Sequence, residues 1–281
     1  MRTDSRRGVT LIELIVSLML LLVVIAIGAI AARRTMSVQA RMAVRDSRAA
    51  AIGDALRTLA RHVAGAEPRR DLRRARDTVL DLVHTIGVTS VCRVRGDTIF
   101  IGSDADSLPW STVLPRGVST DDEVRLWRDV LHDWPQRGVR SVGSASGPCG
   151  DSAHVWPGRA VQRVTLSDTL SGIEIGAPVR VLQRERWSLV RGGDGGWALS
   201  MATWDAARRA FDVPQPLLAP LAAPAAIDGA GFSIVAIDAL GVRVPDSALA
   251  TTRSLLAVLR APRHQIYGVI SDSVRINVGP H

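Results

Sequence analysis

Lysine is absent from this sequence, so all 35 basic residues are arginine and stay charged at every physiological pH. Cysteine occurs only twice, which excludes a disulfide-dense fold. Charged residues make up 22% and apolar residues 47% of the chain, which excludes a disordered protein. A chain of 281 residues with this composition is long enough to build a real hydrophobic core.

Motifs of catalysis and metal binding are also missing. The six histidines form no HExxH motif and no pair at short ligand spacing, and no CxxC, GxSxG or Walker loop occurs. The glycine-rich run 192–196 lacks the lysine of a phosphate loop and is predicted to be a turn. The acidic groups Asp104 with Asp106, and Asp121-Asp122-Glu123, have too few fixed ligands for calcium. We therefore expect no enzyme, no cofactor and no metal site.

The positive charge is concentrated in one segment. Residues 33–76 contain 12 arginines and four acidic residues, which accounts for a charge of +8, whereas residues 77–281 are nearly neutral. A basic segment can bind phosphates of nucleic acids or of lipids. No Trp, Tyr or Phe lies among these arginines, so we interpret them as a solvated face near acidic lipid and do not expect nucleic acid as a partner.

A long apolar run follows the short basic segment 1–8. Residues 9–32 form 24 residues of predicted helix, about 36 Å long, which is sufficient to cross a bilayer core of about 30 Å. A cleaved secretory signal is an alternative, because Ala29-Ile30-Ala31 loosely matches a cleavage site. Glu13 lies inside the run, and a carboxylate in hydrocarbon is costly, so it is a candidate functional residue.

The stretch Gly8-Val9-Thr10-Leu11-Ile12-Glu13-Leu14 resembles the prepilin motif of type IV pilins and type II secretion pseudopilins. The resemblance implies that a prepilin peptidase cleaves between Gly8 and Val9 and methylates Val9. The usual first mature residue of the family is Phe, so Val9 is a departure. The resemblance also implies that Glu13 neutralises its own N-terminus or that of a neighbouring subunit and thereby sets the register of assembly.

The same resemblance implies an α+β, pilin-like fold, in which a long N-terminal helix packs on antiparallel β-sheets. The expected parts are a leader (1–8), the transmembrane half of the helix (9–32), its periplasmic half (33–66) and a soluble α+β domain (67–281). The chain is expected to be a single-pass protein of a bacterial inner membrane that later joins a pilus or pseudopilus. Its expected partners are a prepilin peptidase, other minor and major pilins or pseudopilins, and membrane lipid.

The sequence after the apolar run predicts that the helix continues to about Val63. No proline precedes Pro68, and only Gly28 could kink the helix. One stripe recurs at helical spacing and is expected to pack the second half of the helix on the sheet; it comprises Val38, Met42, Ala49, Ile52, Leu56, Leu59 and Val63.

The remaining sequence predicts a mixture of helices and strands. A second helix is expected from Pro68 to Ile86, and a short one with Val124, Trp127, Leu131 and Trp134 on one face after the Thr120–Glu123 capping box. Arg95-Gly96-Asp97 is predicted to join two strands, 89–94 and 98–101, as a hairpin turn. Later strands are expected at 161–166, 178–190, 196–203, 231–238, 252–260 and 265–278, with a loop over 143–158 and a proline-rich linker over 214–224.

Two sequence segments resemble the J-type minor pseudopilins and W-type minor pilins. They are Arg186-Trp187-Ser188-Leu189-Val190-Arg191 and the strand pattern that begins at Gly231-Phe232. The resemblance implies a minor subunit that initiates or caps a filament. An oxidising exported compartment makes a disulfide between Cys92 and Cys149 expected. The alternatives are a membrane-anchored binding module, such as a pilus-tip adhesin or DNA-uptake receptor with Trp110 or Trp156 exposed, and a membrane-anchored periplasmic enzyme.

Overall fold

A computed structural model of the chain describes residues 11–102, 114, 116–145, 161–265 and 268–279. The chain divides into two compact units, residues 1–50 and 51–281. The first unit, where the structure describes it, is helix, and the second contains the end of that helix and a large antiparallel sheet.

Helix α1 (Leu11–Val63) is 53 residues long and continues through Gly28. The absence of proline lets its backbone hydrogen bonds run without a break. Residues 11–47 are all exposed to solvent in the single chain. The apolar part of α1 is long enough and apolar enough to span a membrane, as predicted.

Within the described residues the sheet contains thirteen antiparallel strands in the order β10-β8-β7-β4-β5-β6-β3-β2-β1-β11-β12-β13, with β9 paired to β8. A one-turn helix, α2 (Pro68–Asp71), precedes it, and a 3₁₀ helix (Asp246–Thr251) lies between β11 and β12. The strands are β1 (Leu72–Asp77), β2 (Val79–Arg95), β3 (Thr98–Gly102), β4 (Glu123–Leu126), β5 (Gln136–Ala145), β6 (Val161–Leu166), β7 (Pro178–Arg191), β8 (Trp197–Asp205), β9 (Ala210–Phe211), β10 (Gln215–Leu221), β11 (Phe232–Ile237), β12 (Ser254–Arg260) and β13 (Ser271–Asn277).

The two larger of three hydrophobic clusters among the described residues hold most of this sheet. The larger core lies between the last turns of α1 and one face of the sheet, where Leu80, Trp187, Phe232 and Leu255 are fully buried. The smaller core lies among β2, β3, β4, β5, β6 and β7, which form a closed circuit because β2 also pairs with β7. Closure removes free edges from these strands and encloses side chains such as Val164 and Val181.

The predicted stripe of α1 is buried only in its last part. Ile52, Leu56, Leu59 and Val63 recur at helical spacing and pack in the larger core. The remaining members, Val38, Met42 and Ala49, belong to the first unit and are exposed in the single chain, so their packing stays a prediction. They precede residue 51, at which the unit that contains the sheet begins.

The predicted helix from Pro68 to Ile86 was wrong beyond its first turn. Only α2 is helical, and the rest forms β1 and the start of β2, with Asp77 at φ +46° in the turn between them. Leu80 and Leu82 are two residues apart with Asp81 between them, and the β-branched residues of this stretch favour strands. The apolar residues of this segment are spaced three or four apart, which predicts a helix. Over so short a segment, the same apolar residues also fit the pattern of a strand.

The predicted helix after the capping box was also wrong. Glu123 begins β4, and the carboxylate expected to cap a helix accepts a hydrogen bond from Gln136 instead. The chain then reverses through a tight turn closed by the Arg128–Asp133 ion pair. Trp127 and Trp134 do lie together, with ring centroids 5.5 Å apart, but across this turn rather than along a helix.

The strand predictions were mostly right. Strand β6 has the predicted bounds, β7, β8, β11 and β12 lie within two residues of theirs, and the Gly96-Asp97 turn joins β2 to β3 as expected, with Gly96 at φ +62°. Strand β13 covers only the second half of its predicted range. The predicted linker over 214–224 was wrong, because Gln215–Leu221 forms β10 at an edge of the sheet, where proline is tolerated.

Gly231 lies where two backbone segments approach closely, and we expect Gly231→Ala to destabilise the fold. An added Cβ would contact the backbone of Ala222, 2.7 Å from its nitrogen, and neither backbone can move because Gly231 hydrogen-bonds to both Ala222 and Arg260. The expected loss is about 1–3 kcal/mol in the free energy of unfolding. Denaturant unfolding of the full chain in detergent, followed by tryptophan fluorescence, measures it.

The matched control is Gly193→Ala, because a Cβ at Gly193 meets nothing within 4 Å. This variant is expected to stay within about 0.5 kcal/mol of the parent chain. Equal stability of the two variants would contradict the close approach at Gly231.

Candidate functional site

The predicted processing residues lie at the start of the chain. Gly8 and Val9 lie outside the described residues, and Glu13 lies in the first turn of α1. A carboxylate at this end of a helix is favoured by the helix dipole. The side chains that surround it along the helix are exposed and apolar, from Leu11 to Ile30. Glu13 is therefore an acidic residue within a helical segment whose apolar composition suits a lipid environment.

A second group of functional side chains gathers against the inner face of the sheet. His62 comes from the last turn of α1, His84 from β2 and Glu185 from β7. We call these three residues the histidine–glutamate cluster. In the register of β2 with β7, His84 is paired with Gln183 and Leu82 with Glu185. Paired residues share a face of the sheet, so both side chains point to the side on which α1 packs.

The cluster is arranged around the Glu185 carboxylate. Nδ1 of His62 lies 2.8 Å from Oε2, and Nδ1 of His84 lies 3.4 Å from Oε1. The indole of Trp187 donates a hydrogen bond to Oε2 at 3.2 Å. The two imidazole rings are stacked, with centroids 4.5 Å apart, and His62 meets the Trp187 ring edge-on. Each carboxylate oxygen therefore faces one imidazole nitrogen.

Burial sets the electrostatics of the cluster. The Glu185 side chain is 2% exposed, the His84 side chain 11% and the His62 side chain 26%. Burial lowers the pKa of His84 below its ordinary value, the charge of Glu185 opposes this shift, and the neighbouring His62 lowers it further. The lowered pKa favours the neutral form of His84, in which one ring nitrogen carries a free electron pair.

No sequence spacing predicts this cluster, because His62 and Glu185 are 123 residues apart and belong to a helix and a strand. A weaker signal was present. Glu185 shares one face of β7 with the buried residues Trp187 and Leu189, so a charged residue interrupts an inward-facing row. A buried carboxylate needs partners, and those partners had to come from other elements.

A basic cavity lies near the start of the sheet. Its volume is about 540 Å³, and its arginines are Arg69, Arg70, Arg73 and Arg137, with Glu123 and Asp133 among its other lining residues. The two carboxylates partly neutralise the positive charge of the four arginines. An anion bound in this cavity would therefore lie close to negative charge, which weakens its binding. The arginines of residues 33–47 are on exposed turns of α1, as predicted for a solvated face.

The acidic residues considered as calcium ligands accept hydrogen bonds from the protein itself where the structure describes them. Asp122 accepts two hydrogen bonds from Arg116 and one from the backbone of Ser119, and Asp121 accepts one from the backbone of Ala206. Asp104 and Asp106 lie outside the described residues. The run 192–196 is a turn in which Gly192 donates its N–H to the carbonyl of Gly196, as predicted.

Cys92 is buried at 1% exposure beside Phe100 and Val161. Cys149 lies outside the described residues, as do Trp110 and Trp156, so the pairing of Cys92 with Cys149 stays a prediction.

Comparison with protein-family models, with curated protein sequences and with solved structures finds no match to the chain.

Proposed function

We propose that this chain is a minor pilin or minor pseudopilin subunit that a prepilin peptidase processes and that helps initiate or cap a type IV pilus or type II secretion pseudopilus. The observation that carries the proposal is the motif Gly8–Leu14, which joins a cleavable glycine to Glu13 in the first turn of a membrane-length helix. The chain performs no catalytic step, and its work is mechanical.

The properties of α1 support this proposal. Its first part is apolar and exposed along residues 11–30, as a segment made for lipid must be. Its last turns pack on an antiparallel sheet through Ile52, Leu56, Leu59 and Val63. The same helix therefore serves as a membrane anchor before assembly and as the stem of the subunit afterwards.

The proposed role of Glu13 follows from the physics of lipid. Cleavage after Gly8 creates a charged amine at the end of a helix in hydrocarbon, where an isolated charge costs about 3 kcal/mol. The cost falls when an amine meets a carboxylate. If the carboxylate belongs to the adjacent subunit, a subunit can add only where the two groups align. The β domain would lie in the periplasm and the anchor in the inner membrane.

Intact mass tests the proposal directly. Co-expression with a prepilin peptidase is expected to remove the eight-residue leader and to add one methyl group to Val9. Gly8→Asp is expected to stay at full mass with the peptidase present, because a charged side chain would stand next to the scissile bond. Mass spectrometry of the purified protein measures both.

Ser5→Asp is the matched control, since it makes the same charge change within the leader but away from the bond. It is expected to be processed like the parent chain. A parent chain that keeps its leader in the presence of active peptidase would refute the proposed function. Processing of Gly8→Asp at the same position would show that Gly8 does not define the site.

A further inference from the structure

We propose that His62, His84 and Glu185 bind one divalent transition metal ion of zinc-like chemistry, which fastens the last turn of α1 to strands β2 and β7. The three residues lie within the unit of residues 51–281. The proposal goes beyond the proposed function and does not depend on processing of the leader.

The donor set selects the class of metal. Two imidazole nitrogens and one carboxylate oxygen are ligands that zinc accepts, and three protein ligands leave a fourth position for water. Calcium and magnesium prefer sets made of oxygen, so the two histidines disfavour them. The donors come from three elements that are distant in sequence, which gives the ion the role of a cross-link.

The distances allow one ion to reach all three donors. One nitrogen from each histidine and one oxygen from Glu185 lie within 4.8 Å of one another. Zinc holds such atoms at about 2.0–2.2 Å, so two donors on one tetrahedral ion are separated by about 3.4 Å. Bringing the three donors to this separation therefore requires movements of at most about 1.4 Å for any pair. Rotation of His62, the most exposed of the three, can supply this movement.

One ring nitrogen of His84 is in a position to bind a ligand. Among the described residues, Nδ1 of His84 is buried without a hydrogen-bond partner, although it faces the Glu185 carboxylate. A buried polar atom left in this state is costly, and a metal ion would satisfy it.

Trp187 supplies the outer shell of the site. Its indole donates to Glu185 and is fully buried, so it fixes the orientation of the carboxylate. Access for an ion is from the side of His62, where the cluster reaches solvent. Because His62 is on α1 and the other ligands are on the sheet, the bound ion would resist separation of the helix end from the sheet.

The test uses the full chain, purified in detergent and stripped of metal with a chelator. Zn²⁺ titration by calorimetry is expected to show saturable binding of one ion per chain, and the melting temperature is expected to rise with zinc concentration. Co²⁺ is expected to give the intense visible ligand-field bands of a four-coordinate site. Mg²⁺ and Ca²⁺ are expected to give neither signal.

Three ligand variants and one control separate this site from adventitious binding. His62→Ala, His84→Ala and Glu185→Gln are each expected to weaken zinc binding by more than the roughly 10- to 100-fold loss caused by an outer-shell change. His62→Ala is the variant safest for folding, because this side chain is partly exposed at the helix end. His132→Ala removes an exposed histidine elsewhere and is expected to bind zinc like the parent chain.

Two outcomes would overturn the proposal. One is the absence of saturable binding below millimolar zinc in a parent chain that is folded by circular dichroism. The other is unchanged zinc affinity in folded His62→Ala or Glu185→Gln, which would assign any bound zinc to other residues. Neither outcome bears on leader processing, so the proposed function would stand or fall separately.

Discussion

Glu13→Ala is expected to abolish incorporation of the chain into filaments while the β domain stays folded. Glu13 lies in the first turn of α1, far along the chain from the buried core residues that begin at Ile52. Its loss therefore removes no packing from the sheet. In the proposed pilin-like subunit it would leave the mature N-terminal amine without a carboxylate in hydrocarbon, and this cost would fall on every subunit that enters the filament. The measurement is the fraction of tagged chain recovered with sheared filaments from its host.

The controls separate charge from shape. Glu13→Gln keeps the size of the side chain and is expected to fail like Glu13→Ala. Ser17→Ala removes a polar group one turn further along the same apolar segment and is expected to assemble normally. Recovery of Glu13→Ala in filaments at the parent level would disprove the amine–carboxylate pairing.

Arg125→Met is expected to cost about 3–5 kcal/mol in the free energy of unfolding, because it leaves a buried carboxylate alone. Arg125 and Asp71 are 2% and 5% exposed and form an ion pair, in which Nη1 lies 3.3 Å from Oδ2. Arg125 also donates to Gln136 at 2.8 Å, and Asp71 accepts from the backbone of Glu67. The pair therefore ties α2 to β4 and β5. Denaturant unfolding followed by tryptophan fluorescence measures the loss.

An exposed pair provides the matched comparison. Arg57 and Asp54 also form an ion pair, but their side chains are 70% and 72% exposed. Arg57→Met is expected to change the free energy of unfolding by less than about 1 kcal/mol. The double variant Arg125→Met with Asp71→Leu is expected to recover much of the single loss, since no charge is left buried. A loss at Arg125 no larger than at Arg57 would contradict this account.

Most strands of the second half of the chain could be predicted because they carry their own pattern, with β10 as an exception. Strand β11 alternates buried and half-buried residues along its whole length, and β12 does so from Leu255 onward. The segment from Pro68 to Ile86 could not be assigned in this way. Its arginines and leucines suit a helix as well as a strand, and only pairing with β7 and β11 decides between them.

The two candidate sites differ in how far the sequence predicts them. The proposed processing motif is local, because the cleavage and helix insertion that it would direct both act on neighbouring residues, so a short stretch of sequence contains it. The histidine–glutamate cluster exists only once α1, β2 and β7 are packed. The spacing of its histidines predicted no metal ligands, since that spacing is set by the topology of the sheet and not by any one element.

The two edge strands of the sheet differ in their capacity to hydrogen-bond a further strand. At one end, β10 contains Pro216 and Pro220, which have no N–H to offer a further strand. At the other end, β13 pairs only with β12 among the described residues, so its outer side keeps its hydrogen-bonding groups. If two copies paired through their β13 strands, the free backbone groups of both strands would be hydrogen-bonded to each other. The two prolines of β10 disfavour the same strand pairing at the opposite edge, so edge-to-edge contacts between copies would favour a closed pair over a continuous sheet.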